Sequence, residues 1–199
     1  MPYPIFLVGI YLACELTANV TASKVTMVGP FVVPAAVYIF TITYTLLDLI
    51  NHTLGSKETR RVVWTGFCGN VVLAVYGLIA VGLPAAPFWA GQAGFAQVLG
   101  ATPRLVTASL LAYLVSSNID VSAYSWLSRR CAPWARVLLS NAVSLALDTI
   151  IFISIAFAGS MPLWPLMLGQ YIVKMAVTVV SVPLIYLARN IHKGGTTAS

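Results

Sequence analysis

Six runs of about 20 apolar residues, divided by short joins that carry most of the charge, leave this chain one economical fold: a bundle of helices inside a bilayer. The runs read as residues 4–23, 31–50, 62–83, 103–127, 134–158 and 163–187, with a short tail at 188–199. Breakers mark the joins, at Gly29-Pro30, Pro34, Gly55-Ser56, Pro84, Pro87, Pro133 and from Gly159 to Pro162. Of the 199 residues, 59% are hydrophobic and only 8% charged. A water-soluble domain carries about a quarter charged residues, so a soluble globule is excluded. The expected fold is an all-α integral membrane protein, one domain of six transmembrane helices, with little chain left for a soluble catalytic domain.

An even number of crossings puts both termini on one side. That side collects Lys57, Arg60, Arg61, Arg129, Arg130, Arg136, Arg189 and Lys193, against Lys24 and Arg104 on the other. Cytoplasmic joins concentrate Lys and Arg, so both termini are expected in the cytoplasm. The net charge of +6 is explained by this topology and gives no reason to expect nucleic acid as a partner. The first run lacks a basic leader and carries Glu15, which reads as a retained span and not as a cleaved signal. Cys14, Cys68 and Cys131 are odd in number and far apart, and His52 and His192 lie at span ends. Neither a metal site, a disulfide nor a cofactor is expected. The join from Pro84 to Thr102 holds Phe88, Trp89, Gln92, Phe95 and Gln97. It reads as an amphipathic surface loop, with an interfacial or re-entrant helix and an external lid as alternatives.

The informative residues are the polar ones inside the runs. Lys174 sits in the middle of the sixth, where an ammonium costs several kcal/mol and needs a partner, a wet cavity or a ligand. Asp148 in the fifth run is a natural partner, and a rise of 1.5 Å per residue puts Glu15, Asp148 and Lys174 at similar depth. Asn19 lies one turn from Glu15, Gln170 one turn from Lys174, and Asn70 sits between close glycines. Ser109, Tyr113, Ser116, Ser117, Asp120 and Tyr124 share a stripe of the fourth run, with Asn118 beside it. The serines fit helix-packing glue, as does Asn70. Asp48 and Asp120 lie nearer the inner side, where Arg60, Arg61 or Arg129 are candidate partners. A chamber of carboxylates, carboxamides and a lysine, with Trp64, Phe67, Tyr113 and Tyr171 in reach, suits a flat polar heterocycle: carboxylates accept paired N–H groups, amides read mixed edges, and rings stack.

Several of these segments resemble the VUT family of vitamin-uptake and queuosine-precursor transporters. They are Glu15-Leu-Thr-Ala-Asn-Val-Thr-Ala-Ser-Lys24, Leu47-Asp48-Leu49 with Gly55 and Arg60-Arg61, Ser117-Asn-Ile-Asp-Val121, Asp148-Thr149 with Ile155-Ala-Phe157, and Gln170-Tyr-Ile-Val-Lys174. The resemblance runs from about Tyr11 to Arg189. It implies import of 7-cyano-7-deazaguanine or its aminomethyl analogue across the inner membrane, and kinship with the six-helix substrate-binding components of energy-coupling-factor transporters. On that resemblance Asn19, Asp120, Asp148 and Lys174 match substrate-contact or coupling positions. Asp48, Arg60 and Arg61 match structural or gating positions, and Asn118 and Gln170 fall where specificity varies. With Glu15 and Asn70, these complete the candidate set.

A separate ATPase module is compatible with the resemblance but not implied by it, and a homo-oligomer is left open. The chain has no phosphate-binding loop of its own: Gly55-Ser-Lys57 lacks the upstream glycine and strand. The first rival is a substrate-capture subunit dependent on such a module, for which Ala18-x-x-x-Ala22 and Ala142-x-x-x-Ala146 offer helix contacts. An intramembrane enzyme is disfavoured by the lack of a G-x-S-x-G elbow, an H-E-x-x-H pair or a histidine within a span. An assembly factor leaves the midplane charges unexplained.

Overall fold

The computed structural model describes residues 3–127 and 133–194; the side chains of Asp48, His52, Asp120, residues 133–138 and residues 180–194 are among those outside the description. Chain order is α1 (Tyr3–Thr21), β1 (Val25–Val28), β2 (Phe31–Pro34), α2 (Val37–Leu54), α3 (Ser56–Gly82), α4 (Gln92–Leu127), α5 (Pro133–Phe157) and α6 (Leu163–Gly194). Four helical stretches are long and apolar enough to cross a membrane: Pro4–Thr21, Ser56–Gly82, Gln92–Ile119 and Leu139–Phe157. Val37–Asn51 and Leu163–Val179 are shorter apolar helices. The protein is multi-pass.

The structure corrects the all-α expectation at the start of the second run. Residues 31–34 are not helical but form the second strand of an antiparallel hairpin, with Val25 opposite Pro34 and Val28 opposite Phe31. The β-branched residues on both sides of Gly29-Pro30 fit a pleated strand better than a helix. Gly29 has φ 57 and supplies the positive first position of a two-residue turn, with Pro30 second. Ala35 N–H donates to Lys24 O at 2.7 Å and extends the ladder toward α2. The hairpin packs against α6. A Cβ on Gly169 would collide with the Val32 carbonyl oxygen, so only glycine lets the strand backbone seat there.

The second correction concerns the long join expected on the outer side. Residues 92–102 are the first turns of α4 and not a surface loop, and the helix continues through Pro103. Proline usually opens a helix, which is why the sequence places a boundary there. The proline removes the N–H that would bond Leu99 O, and threonine hydroxyls on either side of it bond carbonyls one turn back. Thr102 Oγ1 bonds Val98 O at 3.2 Å, and Thr107 Oγ1 bonds Pro103 O at 2.8 Å. Gln92 Nε2 donates to Val81 O at 2.9 Å, tying the start of α4 to the end of α3. Both α3, which begins at Ser56, and α6, which continues to Gly194, also outrun their expected bounds.

The core is built on small residues. Ala18 of α1 and Ala22 just beyond its end cluster with Ala108 and Ala112 of α4, all at most 1% exposed, around Leu105, Ile153 and Leu166. Alanine at four-residue spacing lets two backbones approach closely. The Ala18/Ala22 face is therefore used inside this chain and is not a surface for another one.

Arg104, one of the two cations expected on the outer side, has a structural duty. Its Nε donates to Ile155 O at 2.5 Å and its terminal nitrogen to Ala158 O at 2.6 Å. These carbonyls belong to the end of α5, where backbone acceptors lack helical partners and a cation complements the helix dipole. Arg104→Ala is expected to lower stability by about 1 kcal/mol, with Arg104→Lys intermediate, as read by thermal unfolding in detergent.

Candidate functional site

All six helices converge on one chamber, which encloses about 690 Å³ including its open mouth. Glu15 and Tyr11 reach it from α1, Phe40 and Thr43 from α2, and Phe67 from α3. Ser109 and Tyr113 come from α4, Asp148 from α5, and Gln170 and Lys174 from α6.

Lys174 Nζ donates to Asp148 Oδ2 at 2.6 Å, joining α6 to α5. The lysine is 8% exposed and the aspartate 17%. Two opposite charges at this distance satisfy each other where water is scarce, and the pair leaves no net charge. The ammonium also lies 5.9 Å from the ring centroid of Phe40. Glu15 hydrogen-bonds the side chain of Tyr11, one turn back along α1. No ion pair to Glu15 forms among the described residues. Gln170 is 4% exposed, and its amide makes no hydrogen bond among them. A buried amide without a protein partner is rare. Here it faces a cavity, where a guest molecule can pair with it. Phe67 and Tyr113 give the wall a flat apolar element, their centroids 5.4 Å apart and planes at 59°.

Other expected residues lie elsewhere. Asn19 and Asn70 are each 2% exposed and sit behind the wall, not in it. Asn19 Nδ2 donates to Asn70 Oδ1 at 2.9 Å and to Glu15 O at 3.2 Å. Asn70 Nδ2 donates to Gly66 O at 3.1 Å, and Ser109 Oγ donates to Asn19 Oδ1 at 3.0 Å. Of these three residues, Ser109 lines the chamber and the two asparagines do not. Asn118 is exposed and gives its amide to Leu114 O at 2.6 Å, within its own helix. Its position on α4 turns it away from the chamber wall.

Arg61 pairs with Glu58 at 2.7 Å on the surface of α3, and Arg60 is also exposed. The carboxylate that holds Arg61 is thus Glu58. The side chains of Asp48 and Asp120, and with them the expected inner locks, lie outside the described residues. Trp64 is exposed and stacks edge-on against Phe67 at 5.7 Å. Tyr171 donates to Ala142 O at 3.4 Å.

Sequence reasoning missed Tyr11, Phe40 and Thr43 as wall residues. Tyr11 stands four residues before Glu15, a spacing that puts both on one helix face. Phe40 and Thr43 offer no comparable signal, because a phenylalanine and a threonine are ordinary in an apolar run.

The family described as "Putative vitamin uptake transporter" matches residues 34–188. The chain is 33% identical over 150 residues to the "Probable queuosine precursor transporter" of Bacillus subtilis (strain 168), an alignment covering 71% of this chain and 65% of that protein. The chain spans just under two thirds of that relative's length. No solved structure matches.

Proposed function

The chain belongs to the vitamin uptake transporter family, and from that premise we propose that it imports a queuosine precursor, 7-cyano-7-deazaguanine or its aminomethyl analogue, across the inner membrane. The observation that carries the reading is the chamber reached by all six helices, in which Glu15 and Gln170 present polar groups without ion-pair or amide partners among the described residues. A carboxylate matches the adjacent N–H donors of a guanine edge, and a carboxamide matches a neighbouring donor–acceptor pair. Phe67 and Tyr113 suit the face of the ring. The name of the Bacillus subtilis relative supports the same substrate class.

In this proposal six helices cross the membrane, both termini are cytoplasmic, and the bases at Lys57, Arg60 and Arg61 mark the inner side. Asp148 and Lys174 are the coupling pair, with Glu15 the ligand's carboxylate. Transport proceeds by facilitated or ion-coupled alternating access, without an ATPase module. Burial of Ala18 and Ala22 in the core removes one of the two small-residue faces that a partner module would have used.

The purified chain in liposomes is the test. Saturable uptake of 7-cyano-7-deazaguanine by this chain alone is the expected result. Binding without uptake would instead favour a capture subunit that needs a separate ATPase module. No binding of any deazapurine would reject the substrate assignment.

A further inference from the structure

The two buried asparagines have a use beyond holding helices together. Gly66 O and Glu15 O are backbone acceptors, and each faces an asparagine Nδ2. Flipping either amide would set oxygen against oxygen, so the carbonyls fix both orientations. Asn70 then presents its oxygen to Asn19, and Asn19 presents its own oxygen to Ser109. Ser109 must answer with its proton. A hydroxyl has one proton and two lone pairs, and Ser109 is also part of the chamber wall. What it can offer a guest is acceptor capacity alone.

We propose that Ser109 is a specificity-determining acceptor for the ligand, kept from donating by a relay that runs from Gly66 through Asn70 and Asn19. It selects a guest with an N–H or O–H donor at that point of its edge and disfavours one with a lone pair there. Asn19 and Asn70 are positioning residues, acting on the guest through Ser109. The ligand arm rests on the deazapurine reading; the relay itself does not.

The experiment has two arms on the full-length protein in nanodiscs. In the first, side-chain amide resonances of Asn19 and Asn70 are followed without ligand. Ser109→Ala is expected to shift Asn19 strongly and Asn70 less. An unmoved Asn19 overturns the proposal whatever binds. In the second, affinities are measured for 7-cyano-7-deazaguanine and for analogues in which one N–H at a time is replaced by C–H.

One analogue is expected to lose about tenfold in affinity. That loss should vanish in Ser109→Ala, persist in Ser109→Thr, and shrink below about threefold in Asn19→Leu, where Ser109 loses its acceptor and the hydroxyl is released to donate. Because a ratio of two ligands is read, general loosening of the fold does not imitate the result. Binding with no analogue coupled to Ser109 overturns the proposal. Failure of every deazapurine to bind, with the Asn19 shift present, rejects the transport reading and leaves the relay supported.

Discussion

Lys174→Ala is expected to reduce uptake to the level of empty liposomes and to lower the stability of the fold by about 3–5 kcal/mol, the usual result of deleting one member of a buried ion pair. The stability loss follows from what remains. Asp148, only 17% exposed, would be left without its 2.6 Å partner. Asp148→Asn leaves the opposite orphan and is expected to act in the same direction. The double variant Lys174→Met/Asp148→Leu separates the two roles. Apolar residues of similar volume commonly match or exceed the stability of the buried pair they replace. Thermal unfolding in detergent should therefore recover in the double variant while liposome uptake stays absent. Normal uptake by either single variant, with the protein folded, would remove the charge pair from the mechanism.

Gly169→Val is expected to cost about 3 kcal/mol and to weaken ligand binding at the same time. A Cβ at this position runs into the Val32 carbonyl, which is backbone and has no flexible end to swing aside. Either the hairpin lifts or α6 shifts. The next residue is Gln170 of the chamber wall, so both movements displace a group facing the ligand. Gly100→Val is the matched control, since a Cβ there meets nothing within 4 Å. Unfolding temperature and deazapurine affinity, measured on both variants, check the prediction. Equal behaviour of the two would mean that the hairpin is not seated on Gly169.

The sequence made the helical bundle and the meeting of Asp148 with Lys174 legible, for one physical reason. A charge inside an apolar run is expensive, and a second charge at similar depth is the simplest compensation. The hairpin was illegible because strands are read by alternation of polar and apolar residues. From Val25 to Pro34 both faces are mostly apolar, leaving Gly29-Pro30 as the one visible marker. Pro103 misled in the opposite direction, reading as a helix start where α4 continues through it. The asparagines show a further gap. Depth placed Asn19 near Glu15 correctly, but rotation about the helix axis decides whether an amide meets the cavity or the neighbouring helix. Pairing of Asn19 with Asn70, 51 residues away, has no local signature.

Arg104 has a consequence for how the bundle comes apart. It fastens α4 to the end of α5, while the asparagines and Ser109 fasten α4 to α1 and α3. Among the described residues, α6 is joined to α5 by Tyr171 and by the Asp148–Lys174 bridge. The seam between α6 and α5 is therefore welded in part by a pair of opposite charges. Parting the two helices would strand both charges in lipid unless an incoming ion or cargo took the place of one of them.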